Sequence, residues 1–315
     1  MSFFGKFFFK FQISNSKFLF APLLLFFIPF SNQTAFAQDD DEVITVETSL
    51  VLLNATLTDK TGKPIFGLKK NQFKIFEDGK EQEIEVFESE EGSFAAVILM
   101  DTSGSMEQRI SLARSAAINF LDGLRPDDVA AIYNFDSKVS QVQEFSNSRD
   151  ITERVFDLKA YGWTVMNDAI FEAAQILAKR PEKRRAIIVL SDGVDTKSRR
   201  SADKALRAAL DAQATIYTVD MSSIDTGGRE RMQNQGILRK LAEKSGGRFV
   251  ATPGGLELRN AFKNIVEELG TQYTLGYQPT NTAKDGKWRK IELKVSRPEI
   301  NVRTREGYQA PKKSK

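Results

Sequence analysis

The chain has 315 residues, and neither cysteine nor histidine is among them. Disulfides, thiol nucleophiles, Ser-His-Asp triads, histidine general bases and Cys/His zinc centres are therefore excluded by residue type. Of the 45 basic residues, Lys6, Lys10 and Lys17 fall in the first 37 positions, where no acid occurs; the remainder balances at 42 basic against 42 acidic residues, which gives no support for a nucleic-acid-binding surface.

Residues 1–37 read as an export signal. Positive charge comes first, then an apolar stretch from Phe18 to Phe30 broken by Pro22 and Pro29, then the small-x-small pattern Ala35-Phe36-Ala37. Cleavage after Ala37 would make Gln38 the new terminus and leave no stable membrane span, with a secreted or periplasmic destination. An uncleaved anchor is the alternative; Phe18–Phe30 is short against the ~20 apolar residues a spanning helix needs. No cysteine follows the cleavage pattern, which argues against a lipoprotein.

Residues 38–92 begin with the acidic run Asp39–Glu42 and continue as a β-rich segment. Val51–Thr58 predicts a strand leading to a turn at Lys60–Pro64. Phe73–Phe76 and Ile84–Phe87 flank Asp78-Gly79, a hairpin signal. Residues 93–270 change character. The apolar runs Ala95–Met100, Val129–Tyr133, Ala186–Leu190 and Thr215–Val219 do not alternate, which suits strands covered on both faces. Between them, Ile110, Ala113, Ala117, Phe120 and Leu124 share one helical face, as do Met166, Ile170, Ala173, Ala174 and Leu177. Ser201 or Asp203 predicts the cap of a third helix running to about Gln213. Leu238, Leu241 and Ala242 lie in a fourth, stopped at Gly246-Gly247, and Leu258 to Leu269 mark a fifth. Strand and helix alternation of this kind predicts an α/β fold, a doubly wound and mostly parallel sheet. Residues 271–310 return to strands at Tyr273–Tyr277, Trp288–Val295 and Val302–Tyr308. The simplest arrangement packs them with 45–88 as one smaller β-rich module flanking the α/β domain; two separate β appendages are the alternative. Residues 311–315 form a basic tail with Lys312, Lys313 and Lys315.

Three loops carry the chemistry. Asp101-Thr102-Ser103-Gly104-Ser105 follows the first buried strand, Ser191-Asp192-Gly193 follows another, and Thr164 lies after Gly162-Trp163 and before a helix. Open α/β sheets place ligands beyond the carboxyl ends of their strands. Two carboxylates and three hydroxyls suit a hard cation such as Mg²⁺, which takes six oxygens at ~2.1 Å. Ser103 and Ser105 are two apart and can reach one ion, while Asp101 and Asp192 offset its charge. Gly104 is expected to let the loop turn tightly between the serines. Asp168 and Asp195 read as helix caps or as acceptors behind the ligands. Trp163 reads either as a contact residue or as a cover for its loop, and Tyr277, Trp288 and Tyr308 as core or inter-strand aromatics of the β module.

These residues resemble the metal-ion-dependent adhesion site of von Willebrand factor A domains: Asp-x-Ser-x-Ser at Asp101, Ser103 and Ser105, with Thr164 and Asp192. Leu-Met-Asp-Thr-Ser-Gly-Ser-Met, Leu-Ser-Asp-Gly, Phe-Glu-Asp-Gly at 76–79 and Tyr-Thr-Leu-Gly-Tyr at 273–277 also resemble the VWFA-related family common in Acidobacteria. Gly162-Trp163-Thr164 departs from that family's more usual Gly-Gly-Thr. The resemblance implies that Ser103, Ser105 and Thr164 bind the metal directly in the ligand-bound form and that Asp101 and Asp192 act largely through waters. It implies Mg²⁺, with Mn²⁺ or Ca²⁺ as alternatives, and a protein partner that offers an Asp or Glu carboxylate to the ion. The expected function is that of an exported binding module rather than an enzyme. A Mg²⁺-dependent hydrolase is the alternative, weakened by the lack of a histidine base and of a phosphate-cradling glycine loop; a structural domain with a purely stabilising ion is the third reading.

Overall fold

A computed structural model describes residues 50–89, 91–222, 227–251 and 255–312. The leader with its cleavage pattern, the acidic run at 39–42 and the lysines at 313 and 315 lie outside the described residues. In chain order the elements are β1 (Val51–Thr58), β2 (Phe73–Glu77), β3 (Lys80–Gln82), β4 (Val86–Glu88), β5 (Phe94–Asp101), α1 (Ile110–Asp122), β6 (Val129–Phe135), β7 (Val139–Ser146), α2 (Met166–Leu177), β8 (Arg184–Ser191), α3 (Ala202–Asp211), β9 (Ala214–Asp220), α4 (Gly228–Ser245), β10 (Phe249–Ala251), α5 (Gly255–Thr271), β11 (Tyr273–Tyr277), β12 (Trp288–Val295), β13 (Asn301–Arg303) and β14 (Gly307–Gln309).

The apolar runs without alternation form the centre of a sheet ordered β10-β9-β8-β5-β6-β7. All neighbours pair in parallel except β6 and β7. Successive side chains of a strand point to opposite faces, so a strand between two helix layers must be apolar throughout. Strand β5 obeys this. Phe94, Ala96, Ile98 and Met100 pack with Ala117 and Phe120 of α1 and Phe262 and Leu269 of α5. Ala95, Val97 and Leu99 face Ile170 and Ala173 of α2, with α3 and α4 in the same layer. The sheet is therefore doubly wound. Ser201 caps α3 by accepting from the Lys204 backbone amide, and α4 stops where Gly246 takes φ 85°.

The remaining strands form two four-stranded antiparallel sheets, ordered β13-β1-β11-β4 and β14-β12-β2-β3. Strand β1 precedes the α/β region and pairs with β11, which follows it, Val51 lying opposite Tyr277. Inward residues of both sheets, among them Leu53, Ile75, Tyr273, Leu275 and Leu293, share one core. Tyr277 of one sheet donates to the Glu77 carboxylate of the other at 2.7 Å, holding the sheets to each other, and Tyr308, in the same sheet as Glu77, donates to it at 2.9 Å.

Three details differ from the sequence reading. The Asp78-Gly79 turn, with φ of 49° and 83°, joins β2 to the short Lys80–Gln82 strand. The expected Ile84–Phe87 strand starts later, at Val86, and pairs with β11 in the other sheet. Trp288, 43% exposed, takes the inter-strand alternative of its reading, its indole lying against Gly307 on the adjacent strand. Val302–Tyr308 is two strands, because Arg305 leaves the sheet to plug the seam with the α/β sheet. The Arg305 guanidinium is buried, which pushes its pKa down to about 10, and it donates to Leu210 O at the end of α3 and to Leu52 O in β1. Arg305→Ala should cost about 2 kcal/mol, since two buried carbonyls lose their donor. Thermal denaturation should show the midpoint falling by roughly 5 °C; an unchanged midpoint would contradict this role.

Candidate functional site

The chain leaves β5 for β6 on one side, while β8 lies on the other side of β5. That reversal opens a crevice beyond the carboxyl ends of β5 and β8, the place where such sheets bind ligands. Asp101 is the last residue of β5 and Ser191 the last of β8. The strand ends thus bring residues 90 positions apart within hydrogen-bond distance, Ser191 Oγ donating to Asp101 Oδ2 at 2.6 Å.

The Asp101 carboxylate organises its own loop. Its Oδ1 accepts from the Ser103 backbone amide at 2.9 Å, which bends the chain so that the Ser103 and Ser105 hydroxyls lie 3.2 Å apart. Ser103 is buried and Ser105 exposed, so the pair runs from the crevice floor to its mouth. On the β8 side, Asp192 Oδ1 accepts from the Val194 amide at 3.2 Å, and Asp192 Oδ2 makes no hydrogen bond within the described residues. The side chain of Thr102, by contrast, turns away: its hydroxyl accepts from Asn134 at 3.0 Å and donates to Phe135 O at 3.3 Å.

The third loop is tied to the first by its backbone. Tyr161 N donates to Thr102 O at 2.9 Å, and Gly162 O accepts from Gly104 N at 3.3 Å. Trp163 N donates to Ser137 Oγ at 3.1 Å and Thr164 N to Thr196 Oγ1 at 3.0 Å. Thr164 O accepts in turn from the Thr196 and Lys197 amides, both at 3.0 Å. Thr164 is buried at the same sheet edge as Asp101, Ser103 and Asp192. All five expected ligands therefore stand on loops joined by hydrogen bonds or by adjoining strand ends.

Burial pushes the Asp101 carboxyl up to about 7, against the pull of its hydrogen bonds from Ser103 and Ser191, and the nearby Asp192 charge pushes the same way. Two carboxylates sharing a water-poor crevice repel each other, and a cation between them would reverse the sign of that interaction. The donor set fits a small hard ion. Adjacent ligands of an octahedral Mg²⁺ at ~2.1 Å are ~3.0 Å apart, close to the observed spacing of the two serine hydroxyls. Each oxygen of Asp101 already accepts one hydrogen bond and keeps a lone pair for a metal-bound water. Among the described residues no three carboxylates converge on one point, so an ion at this edge would rely on hydroxyls.

Asp195 and Asp168 have other work. Asp195 Oδ2 accepts from Asn167 N at 2.8 Å and caps α2 from a distance. Asp168 accepts from the Arg199 and Arg200 amides and pairs with the Arg200 guanidinium at 3.0 Å, which fixes the loop after Asp192. Gly104 does not hold the role expected of it. Its φ is not positive, it begins a short 3₁₀ turn, and an added Cβ would meet Gly162 O at an ordinary 3.6 Å. The glycine the site requires is Gly193, with φ 84°. Ser191 and Thr196 were not among the expected site residues. Ser191 ends an apolar strand with a hydroxyl, a signal visible in the sequence; Thr196 is recognisable only once the loops are seen together.

Residues 96–194 match the family model of the von Willebrand factor type A domain. Two curated relatives are each 26% identical: an uncharacterised protein of Synechocystis sp. over 177 residues, covering 55% of this chain and 40% of the relative, and a UPF0353 protein of Nocardia farcinica over 216 residues, covering 57% and 64%. The chain thus spans less than two thirds of either relative. Among solved structures, the conserved hypothetical protein BatB from Bacteroides thetaiotaomicron aligns with a TM-score of 0.48 at 18% identity, over 56% of this chain and 98% of that one. A von Willebrand factor type A protein from Catenulispora acidiphila aligns with a TM-score of 0.46 at 14% identity, over 84% and 64%.

Proposed function

We propose that the protein, whose residues 96–194 match the von Willebrand factor type A domain, is an exported, metal-dependent binding module, in which one divalent cation, Mg²⁺ by its oxygen donors, takes a carboxylate from a partner protein. The observation that carries this reading is the pair of serine hydroxyls 3.2 Å apart over the buried Asp101, with the open oxygen of Asp192 on the facing loop. Ser103, Ser105 and Thr164 would hold the ion through neutral oxygens, and Asp101 and Asp192 would orient its waters. Neutral ligands leave the cation's positive charge largely uncompensated, so an outside Asp or Glu makes a charge-assisted contact. The chain itself shapes the crevice, orders the hydroxyls and limits access of water. Export rests on the leader in residues 1–37; among the described residues no helix is long and apolar enough to cross a membrane.

The test is calorimetric titration of the purified protein with Mg²⁺, repeated on Ser103→Ala. Loss of one directly bound hydroxyl should weaken Mg²⁺ binding at least about tenfold, by analogy with the 10–100-fold cost of removing even a supporting group, while circular dichroism stays unchanged. Equal Mg²⁺ affinity in the two proteins would end the proposal.

A further inference from the structure

Large apolar side chains stand exposed at Leu50, Phe66, Phe156, Tyr161, Trp163, Met232, Leu256 and Trp288 among the described residues. Their distribution is uneven. Phe156, Tyr161 and Trp163 lie on the loop that ends at Thr164. Met232 is in the first turns of α4, which follows the carboxyl end of β9, and Leu256 opens α5, which follows β10. Of these, only Tyr161 and Trp163 are on a stretch bonded to the loop of Asp101 and Ser103, Tyr161 N donating to Thr102 O and Gly162 O accepting from Gly104 N. Scattered exposed apolar residues need no explanation, but two aromatics held side by side next to the crevice do.

Tyr161 and Trp163 are also tightly specified. They are 64% and 57% exposed, yet every residue from 161 to 164 has its backbone tied to a neighbouring loop. Between them Gly162 takes φ 82°, and an added Cβ there would come within 2.7 Å of Ser137 Oγ. The loop can hold this shape only with glycine at 162, and the shape turns the flanking aromatic rings outward. Lys197 Nζ lies 4.8 Å from the centre of the Trp163 ring, and Lys138 adjoins the Ser137 that anchors the Trp163 amide. The indole is therefore a rigid, amphipathic surface bordered by the Lys197 ammonium. Fixed aromatics lose little entropy on binding and are enriched among residues that dominate interface energies.

We infer that Trp163 and Tyr161 form a specificity rim for the cation crevice, selecting a protein segment in which the acidic side chain is flanked by aromatic or large apolar residues. This inference rests on the cation reading above. The carboxylate would go to the metal, the flanking side chains to the rim, and Lys197 would favour an acidic partner.

The chain has two tryptophans, Trp163 on the rim and Trp288 in the β module, so ¹⁹F NMR of the 5-fluorotryptophan-labelled protein gives one reporter and one internal control. The probes are three blocked pentapeptides, Gly-Phe-Glu-Phe-Gly, Gly-Ser-Glu-Ser-Gly and Gly-Phe-Gln-Phe-Gly, titrated with Mg²⁺ and with EDTA. With Mg²⁺, the Phe-Glu-Phe peptide should move the Trp163 resonance, leave that of Trp288 in place, and bind about tenfold tighter than the Ser-Glu-Ser peptide. Tyr161→Ala should reduce that preference, and Trp163→Ala, followed by calorimetry, should abolish it while Mg²⁺ affinity is unchanged. Equal binding of the two Glu peptides, or an unaltered preference in Trp163→Ala, would overturn the rim and leave the cation reading standing. Equal binding of the Phe-Glu-Phe and Phe-Gln-Phe peptides, insensitive to EDTA, would instead sink the cation reading and the inference with it.

Discussion

Asp101→Asn should make the metal-free protein more stable above neutral pH and at the same time remove its response to Mg²⁺. The two effects have one cause. Asp101 is buried, and without a cation its carboxyl is pushed from 3.8 up to about 7. A carboxyl raised in the folded state holds its proton there while the unfolded chain has already released it. The folded state then binds more protons between about pH 4 and pH 7, and stability falls as pH rises across that window. A rise from 3.8 to about 7 corresponds to an upper figure of ~4 kcal/mol. Water entering the crevice relieves part of it, so a gain of about 2 kcal/mol for the asparagine variant at pH 8 is the expected result. The amide preserves the local bonds: its oxygen can accept from Ser103 N and its NH₂ can donate to Ser191 Oγ. At pH 4, close to the unfolded-state value of 3.8, where the folded carboxyl holds its proton and the unfolded one is partly protonated, the two proteins should differ little. Adding Mg²⁺ at pH 8 should stabilise the wild type by an amount set by its concentration relative to Kd and leave Asp101→Asn where it was. Denaturant unfolding at the two pH values, with and without Mg²⁺, reads all four cases. A less stable Asp101→Asn in metal-free buffer at pH 8 would contradict the argument.

This pattern also explains why the site was legible in the sequence to the degree that it was. Four of the five candidate ligands follow strands whose apolar runs are unmistakable, and a doubly wound sheet leaves few places for the loop after such a strand to go. Asp101, Ser103, Ser105 and Asp192 could therefore be assigned to one edge from periodicity alone. Thr164 was harder, since it follows no strand; its place depends on Tyr161 N and Gly162 O bonding to the first loop. The β module divides the same way. The segments before and after the α/β region announce themselves as strands, but nothing in their alternation says that β2 pairs with β12 and β4 with β11. Those choices depend on side chains far apart in sequence, such as Glu77 with Tyr277 and Tyr308. Strand β7 has a pattern of half-buried residues too weak to claim a strand by itself; it exists because β6 presents a free edge.

Glycine roles are the part least legible in a sequence, and they set the second large effect. Gly193→Ala should cost about 3 kcal/mol, whereas Gly104→Ala, in the middle of the Asp-x-Ser-x-Ser motif, should change stability by no more than about 0.5 kcal/mol. At Gly193 the backbone lies at φ 84°, and a Cβ would approach Asn234 O to 2.7 Å and Leu238 Cγ to 3.1 Å, both on α4. A left-handed φ alone costs an alanine roughly 1–2 kcal/mol, and neither a helix carbonyl nor a core leucine can yield without shifting α4. The loop would yield instead. Gly193 N donates to Ser191 Oγ, which donates to Asp101 Oδ2, so displacement of Gly193 carries Ser191 and Asp192 with it and disturbs the carboxylate that orders the serines. Gly193→Ala should therefore lose both thermal stability and Mg²⁺ affinity, while Gly104→Ala keeps both, because its Cβ has room and its backbone is already helical. Thermal denaturation and Mg²⁺ titration of the two variants decide the matter. If Gly104→Ala were the more damaging, the tight turn between Ser103 and Ser105 would be the constraint after all, and the coupling of α4 to the crevice through Gly193 would be wrong.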